Sequence, residues 1–598
     1  MIKKLSKYIG EYKKYLILGP MCVTVEIICE VLMPFLMSKI IDIGVVNKDV
    51  NYIYKIGIIM TLLSVLAIIM GSLNIKFSSE ASQGFAANLR GGLFDKVKSF
   101  SFSNIDKFST ASLVTRLTND VTQLQMTFMM GMRILVRAPL MMIASLIFAI
   151  AINARLAIII IIAIPILAVG LWFIMKNAES LFTIVQSKID ALNNTVEENL
   201  IGIRVVKAFV RMAHEKQKFK KSNDELSESA LKAGNLIVMN MPLMMFVSNA
   251  AIIAVIWVGG HMVGQKLMGT GELISFISYI MQILMSVMMF SMVIMMATRA
   301  DASARRITEV LDTTIDISDK TDAKDEHEKS DLSLSNVKAD NLERKDLTVK
   351  KGKVEFKHVY FKYTASGKGE DVLSDINFTA EPGEFVGIIG STGSGKSSIV
   401  NLIPRLYDAS DGQVLVDDTD VRDYHLKDLR DGIGMVLQKN MLFSGTIKEN
   451  LLWGNENAIQ DEIENAAQNA QAYDFIMSFP DGYDTELGQG GVNVSGGQKQ
   501  RLCIARALLK KPSILIMDDS TSAVDTATEA KIRQSLKSNL KGMTTFIIAQ
   551  RISSVKEADK IIVLDDGRIV GIGTHEELLA DNKVYQEICN SQKEGAVA

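Results

Sequence analysis

Phe385-Val386-Gly387-Ile388-Ile389 runs without a break into Gly390-Ser391-Thr392-Gly393-Ser394-Gly395-Lys396-Ser397-Ser398. The apolar run predicts a buried strand, and Ile399-Val400 after the glycines predicts an apolar helix. Strand, glycine-rich loop and helix in that order are the context in which this pattern cradles phosphate. The glycines let backbone N–H groups wrap phosphate oxygens. Lys396 is expected to reach the β/γ oxygens and Ser397 to ligate Mg²⁺, with the helix N-terminus adding its positive dipole end.

Two further segments lie downstream. Ile514-Leu515-Ile516-Met517-Asp518 is an apolar strand ending in the carboxylate expected to hold Mg²⁺. Twenty-three residues before Asp518 stands Ser495-Gly496-Gly497-Gln498, a weak signal alone but a specific one between a phosphate cradle and a Mg²⁺ strand. Upstream, Val354-Glu355-Phe356 and Phe361-Lys362-Tyr363 predict short strands. The segment 351–598 therefore reads as an α/β nucleotide-binding domain.

The first 300 residues follow a different pattern. Of 598 residues, 48% are hydrophobic and 22% charged, and the apolar ones crowd into six runs of about twenty near 15–41, 54–75, 133–152, 156–176, 243–265 and 273–298. Lys3, Lys4, Lys7, Lys13 and Lys14 precede the first run and predict a cytoplasmic N-terminus. No small-residue cleavage site follows, so that run is expected to be a retained helix and not a signal peptide. The connections after helices two and four span roughly 57 and 66 residues, and within them Ala81 to Lys98 and Asn177 to Ala233 are charged, amphipathic and proline-free. Such long connections predict helices that extend well beyond the bilayer and turn at their tips. Residues 1–311 are thus an expected transmembrane domain, and 312–350, rich in Asp, Glu, Lys, Ser and Asn, a flexible linker. A net charge of −2 offers no broad basic field for nucleic acid. Cys22, Cys29, Cys503 and Cys589 show neither metal spacing nor a secreted framework, and buried inert thiols are expected at Cys22 and Cys29.

Together these motifs make the chain resemble an ATP-binding cassette exporter over nearly its whole length. Ser495, Gly496, Gly497 and Gln498 match that family's signature motif. Gln438, after Met435-Val436-Leu437, resembles its Mg²⁺-sensing glutamine, and Ser522-Ala523-Val524-Asp525 its dimer-contact loop. Tyr363 falls where the family stacks an aromatic ring on adenine. Thr485-Glu486-Leu487-Gly488 resembles the exporter segment that touches the membrane domain. Ser112 to Asp120 and Glu198 to Ile203 resemble its two coupling regions. The resemblance implies ATP and Mg²⁺ as cofactors and a multi-pass protein of a bacterial-type cytoplasmic membrane, with the nucleotide-binding domain in the cytoplasm. It also implies a dimer in which each ATP lies between one chain's cradle and the other's signature turn.

Two positions depart from the family pattern. The residue after the Mg²⁺ aspartate, a water-polarising glutamate in the family, is Asp519, one methylene shorter. The family's γ-phosphate histidine is replaced by Gln550, after Thr544-Thr545-Phe546-Ile547-Ile548-Ala549; glutamine can donate a hydrogen bond but cannot take up a proton or a charge. With the cradle and signature turn intact, this pair resembles the degenerate-site subunit of bacterial heterodimeric multidrug exporters. The implied partner is a second half-transporter with glutamate and histidine in place. A homodimer with two slow sites, a lipid or peptide exporter, and a nucleotide-gated regulatory or channel subunit are the competing readings.

Cargo is less legible. Glu26 and Glu30 share a face of helix one, either as a site for cationic amphiphiles, as a structural pair with Arg133 or Arg137, or near a wet surface. Met281, Met285, Met288, Met289, Met292, Met295 and Met296 form a stripe on helix six. It is either an adaptable lining for hydrophobic small molecules or ordinary packing against helices and membrane lipid.

Overall fold

The computed structural model describes residues 2–319, 347–363, 371–519, 524–539 and 542–594. Most of the expected linker, 320–346, lies outside the described residues, as do Ser522 and Ala523 and the side chains of Met292 and Met295. The chain divides into two compact units, one of residues 1–98 and 111–312, the other of residues 99–110 and 313–598.

The first unit is all helical. Six of its helical spans are long and apolar enough to cross a membrane: Lys3–Val45, Val50–Lys98, Thr110–Ile152, Ala154–Ile201, Met212–Gly264 and Thr270–Phe290. An apolar chain in lipid must satisfy every backbone N–H and C=O internally, which the helix alone does within one segment. Helices two and four run on unbroken as Val50–Lys98 and Ala154–Ile201. At 1.5 Å per residue each is about 70 Å long, twice the thickness of a bilayer core. Pro20 and Pro34 interrupt the hydrogen-bond ladder of helix one. Helix six bonds to the backbone there, Tyr279 donating its hydroxyl to the Val31 carbonyl at 2.7 Å and Ser275 its own to the Pro34 carbonyl. The core of this unit gathers around Ile27, Val31, Leu156, Leu167, Phe276 and Ile283. Near the N-terminus, tyrosines occupy space that only glycine leaves: a Cβ on Gly84 or Gly92 would stand 2.3 Å from Tyr12 or Tyr8.

The glutamates of helix one are paired. Arg137 of helix three donates to Glu26 at 2.6 Å through one guanidinium nitrogen and to both oxygens of Glu30 at 2.7 Å through the other. Of the two arginines considered for these carboxylates, the geometry pairs both with Arg137 and not Arg133. A guanidinium fork is planar and spans two acceptors, so one cation serves carboxylates a helical turn apart.

The expected coupling region 112–120 is not a tip. It continues helix three, where Arg116 and Asp120 are buried against helix six: Arg306 donates to Asp120 at 2.8 Å and Ser303 at 2.9 Å, and Arg116 pairs with Glu309 at 2.9 Å. The tip after helix two is the short helix Phe102–Lys107, which belongs to the second unit. The other tip carries the short helix Ile203–Ala208, which begins at the last residue of the expected stretch 198–203.

The second unit holds twelve strands among the described residues: β1 Val354–Phe361, β2 Leu373–Ala380, β3 Phe385–Gly390, β4 Asp411–Val416, β5 Thr419–Asp420, β6 Ile433–Val436, β7 Gly445–Thr446, β8 Glu486–Leu487, β9 Ile514–Asp518, β10 Thr544–Ile548, β11 Lys560–Asp565 and β12 Arg568–Gly573. A six-stranded sheet runs β12-β11-β3-β10-β9-β6, all parallel except β12, and a four-stranded antiparallel sheet runs β2-β1-β4-β5. β3, β9 and β10 are buried along nearly their whole length, the pattern of strands covered on both faces.

Replacing Arg137 with Leu leaves two carboxylates without their shared cation. A loss of about 3 kcal/mol is expected, the low end for breaking a buried pair because Glu30 remains 33% exposed. Thermal unfolding of the detergent-solubilised chain measures it. Adding Glu26→Gln and Glu30→Gln to Arg137→Leu should recover most of the melting temperature.

Candidate nucleotide site

The parallel sheet brings the distant motifs to one edge. β3 and β9 flank β10, with Ile548 opposite both Ile388 and Asp518, so the cradle and the carboxylate leave the sheet at the same end. Ser397 donates to Asp518 at 2.9 Å across 121 residues of sequence. Gln438 follows β6, which pairs with β9 on the far side, and reaches this same edge on an exposed turn.

Within the cradle, Gly393 and Gly395 adopt φ of +87° and +91°, a region closed to most side chains, and a Cβ on Gly395 would lie 2.6 Å from Leu373. Lys396 bends back onto its own loop and donates to the Gly390 carbonyl at 3.0 Å and the Ser391 carbonyl at 2.6 Å. Burial lowers its pKa, and the charges of Asp519 and Asp518 oppose that shift. The Ser394 hydroxyl is buried without a hydrogen-bond partner among the described residues. A cation held only by carbonyls, an orphaned hydroxyl and open space beside Gly393 fit a polyanion such as the phosphates of ATP. Asp518 and Ser397, side by side, fit a divalent cation by their donor chemistry. Burial pushes the Asp518 carboxyl up, and the positive charge of Lys396 only partly offsets it; a metal ion would supply the missing charge.

The two departures touch each other. Gln550 Nε2 donates to Asp519 Oδ2 at 2.8 Å. Asp519 sits at φ +46°, a left-handed conformation that aspartate tolerates better than longer residues. Its carboxyl is also raised by burial, against the hydrogen bond from Gln550. The loop at Gln550 is braced from the C-terminal helix, where Gln592 donates to the Gln550 carbonyl at 2.7 Å and accepts from the Ile552 amide at 2.9 Å. Nothing in the local motif announces that brace.

The signature turn is a capping box. The Ser495 hydroxyl accepts from the Gln498 amide at 3.3 Å, and the Gln498 side chain accepts from the Ser495 amide at 2.9 Å, at the start of the helix Gly496–Leu509. Asp525 similarly accepts from the Thr528 amide at 2.9 Å, which holds its carboxyl below the usual range. Glu486 and Leu487 form β8, paired with Gly445 and Thr446 of β7. Tyr363 lies edge-on to Phe361, and its hydroxyl is 3.1 Å from that of Ser398 in the cradle. Helix six turns Phe276, Tyr279, Ile283 and Leu284 inward and leaves Met281 and Met285 about half exposed, with Met289 at 36%.

Missed at the sequence level was the helix Phe102–Lys107, although Ser101 and Asn104, at capping-box spacing, signal its start. The Ser101 hydroxyl accepts from the Asn104 amide at 3.2 Å and the Asn104 side chain accepts in return at 3.3 Å. Asn104 also donates to the Thr314 carbonyl at 3.1 Å, and Ser103 to Asp316 at 2.6 Å.

Lys396→Ala and Asp518→Asn should both fold but lose the rise in melting temperature that Mg²⁺-ATP gives the wild-type chain. Without nucleotide, Asp518→Asn should melt no lower than wild type at neutral pH, because it removes a buried charge. Differential scanning fluorimetry with and without Mg²⁺-ATP tests both.

Residues 16–287 match the family model described as ABC transporter transmembrane region, and residues 373–522 match the one described as ABC transporter. The uncharacterized ABC transporter ATP-binding protein YfiB of Bacillus subtilis (strain 168) is 41% identical over 567 residues, covering 95% of this chain and 94% of that protein. The ATP-dependent lipid A-core flippase of Syntrophus aciditrophicus (strain SB) is 34% identical, covering 85% and 80% respectively. The fold is shared with a bacterial Atm1-family ABC exporter solved with ATP bound, at a TM-score of 0.75 and 23% identity over 98% of both chains. The chain belongs to the ATP-binding cassette family as an exporter half-transporter, a multi-pass membrane protein whose cytoplasmic nucleotide-binding domain makes it an ATPase-coupled transporter.

Proposed function

We propose that this chain exports hydrophobic or amphiphilic compounds as one half of a heterodimer, with a transmembrane domain over 1–311, a linker over 312–350 and a cassette over 351–598. Its own cradle, Gly390 to Ser398, binds ATP, with Tyr363 stacked on adenine and Mg²⁺ held by Ser397, Gln438 and Asp518. It cleaves that ATP slowly. Ser495, Gly496, Gly497 and Gln498 complete the partner's productive site, and Asp525 lies at the contact between the two cassettes.

The hydrogen bond from Gln550 to Asp519 carries this reading. A general base must reach the attacking water, and a misplacement of about 1 Å already costs ~10²-fold. Here the carboxylate is one methylene short and one of its oxygens is engaged by an amide that cannot exchange a proton. The capping-box signature turn has no such defect, so the chain keeps what a partner needs while its own chemistry is blunted. A homodimer with two such sites would hydrolyse slowly at both.

For cargo, support comes from the exposed methionines Met281, Met285 and Met289, whose flexible thioethers suit varied apolar shapes. Met292 continues the stripe in sequence. Glu26 and Glu30 share one arginine, which leaves one excess negative charge at membrane depth and favours cationic amphiphiles over anionic ones. The relative named as a lipid A-core flippase makes an amphiphilic lipid the second cargo class to try.

In the assembled dimer, Ser495→Arg should nearly eliminate steady-state ATPase activity, because bulk and charge enter the partner's productive site. Asp519→Ala should retain most of it. Equal damage from the two variants would sink the asymmetric assignment. The chain purified alone should bind Mg²⁺-ATP yet turn it over slowly.

A further inference from the structure

Tyr407 occupies the centre of an aromatic cluster that no signature motif accounts for. Its ring meets Tyr363 edge-on at 5.2 Å between centroids and 88° between planes, Phe361 at 5.7 Å, and Phe102 at 6.2 Å. Its hydroxyl donates to Asp106 Oδ2 at 2.6 Å. Burial and the neighbouring Asp106 carboxylate both push the Tyr407 hydroxyl above its ordinary pKa, so it remains a proton donor throughout the physiological range. All of these residues lie in the second unit, yet they come from three separate parts of the chain. Phe102 and Asp106 belong to the short helix between membrane helices two and three. Tyr407 follows the cradle helix, and Tyr363 ends the first strand region.

We propose that Tyr407 is a positioning residue for adenine binding: its ring holds Tyr363 in stacking orientation, and Asp106 fixes where that ring sits. The proposal rests on the reading of Tyr363 as the adenine platform. An edge-to-face contact restrains the plane of both rings. Tyr363 has a second anchor at Ser398 of the cradle, 3.1 Å away, so the ring is held between the cradle and Tyr407. Phe102–Lys107 is covalently continuous with helices two and three through Lys98 and Thr110. Any shift of those helices that moves Asp106 therefore changes the acceptor of the Tyr407 hydroxyl and the tilt of the adenine platform. Linkage makes the effect mutual: adenine stacked on Tyr363 favours the arrangement in which Asp106 accepts from Tyr407.

The test is equilibrium binding of ATP and of inorganic tripolyphosphate to the full-length chain in detergent with Mg²⁺, by calorimetry. Tripolyphosphate needs the cradle but has no base to stack. Tyr407→Leu should weaken ATP by about three- to tenfold, the range of an aromatic pair, and leave tripolyphosphate unchanged. Tyr407→Phe and Asp106→Ala should each weaken ATP by about twofold or more. Their combination should be no worse than either alone, because both remove the same hydrogen bond. Asp106→Asn keeps an acceptor and should bind ATP as wild type does. Equal weakening of both ligands by Tyr407→Leu would mean a general packing role and overturn the proposal, as would unchanged ATP binding. Tyr363→Leu separates the two layers. If it spares ATP, the adenine platform itself is wrong; if it weakens ATP while Tyr407→Leu does not, only the positioning role fails.

Discussion

The hydrogen bond from Ser397 to Asp518 spans 121 residues of sequence and exists only because β3 and β9 flank the same strand in parallel. Parallel strands all leave a sheet at one edge, so loops far apart in sequence converge there. Most of what this chain can do with a nucleotide follows from that convergence. The glycine-rich loop leaves β3, the Asp518 carboxylate ends β9, Gln550 follows β10 and Gln438 follows β6. Each loop brings one functional group, and the sheet sets their spacing to within a hydrogen bond.

In the membrane unit the controlling constraint is the absence of water. Backbone carbonyls of Val31 and Pro34 in helix one accept from Tyr279 and Ser275 of helix six, and the charges of helix one are met by Arg137 from helix three. These polar ties join helices whose apolar surfaces are otherwise interchangeable, because lipid offers no hydrophobic drive to prefer one helix partner over another. The buried Asp120, Ser303 and Arg116, with the exposed Arg306, do the same between helices three and six.

Two adjacent carboxylates, Asp518 and Asp519, close the strand β9 edge of the site. Burial raises both Asp518 and Asp519, but they are handled differently. Asp518 accepts from Ser397, an arrangement a metal ion can enter, whereas Asp519 accepts from an amide N–H that does not titrate. Asp519 thus stands in a left-handed backbone with its carboxylate held by the Gln550 amide.

The glycine-rich loop between strand and helix, the apolar strand ending in Asp518, the capped turn at Ser495 and the six apolar spans were legible in the sequence because each is local. Glycine spacing, strand hydrophobicity and helix length are set by residues within a few positions of one another. The departures at Asp519 and Gln550 were legible for the same reason. Which arginine holds Glu26 and Glu30 was not, since Arg133 and Arg137 lie one turn apart on one helix and only packing against helix one chooses between them. The tip helix at Phe102–Lys107 was passed over for the stretch 112–120, where Arg116 and Asp120 are buried against helix six while Thr115, Thr118 and Asn119 are exposed. The contacts between Gln550 and Asp519, and between Tyr407, Tyr363 and Asp106, were decided by the tertiary structure alone. They join residues 31 and 301 positions apart along the chain, at distances no local pattern encodes.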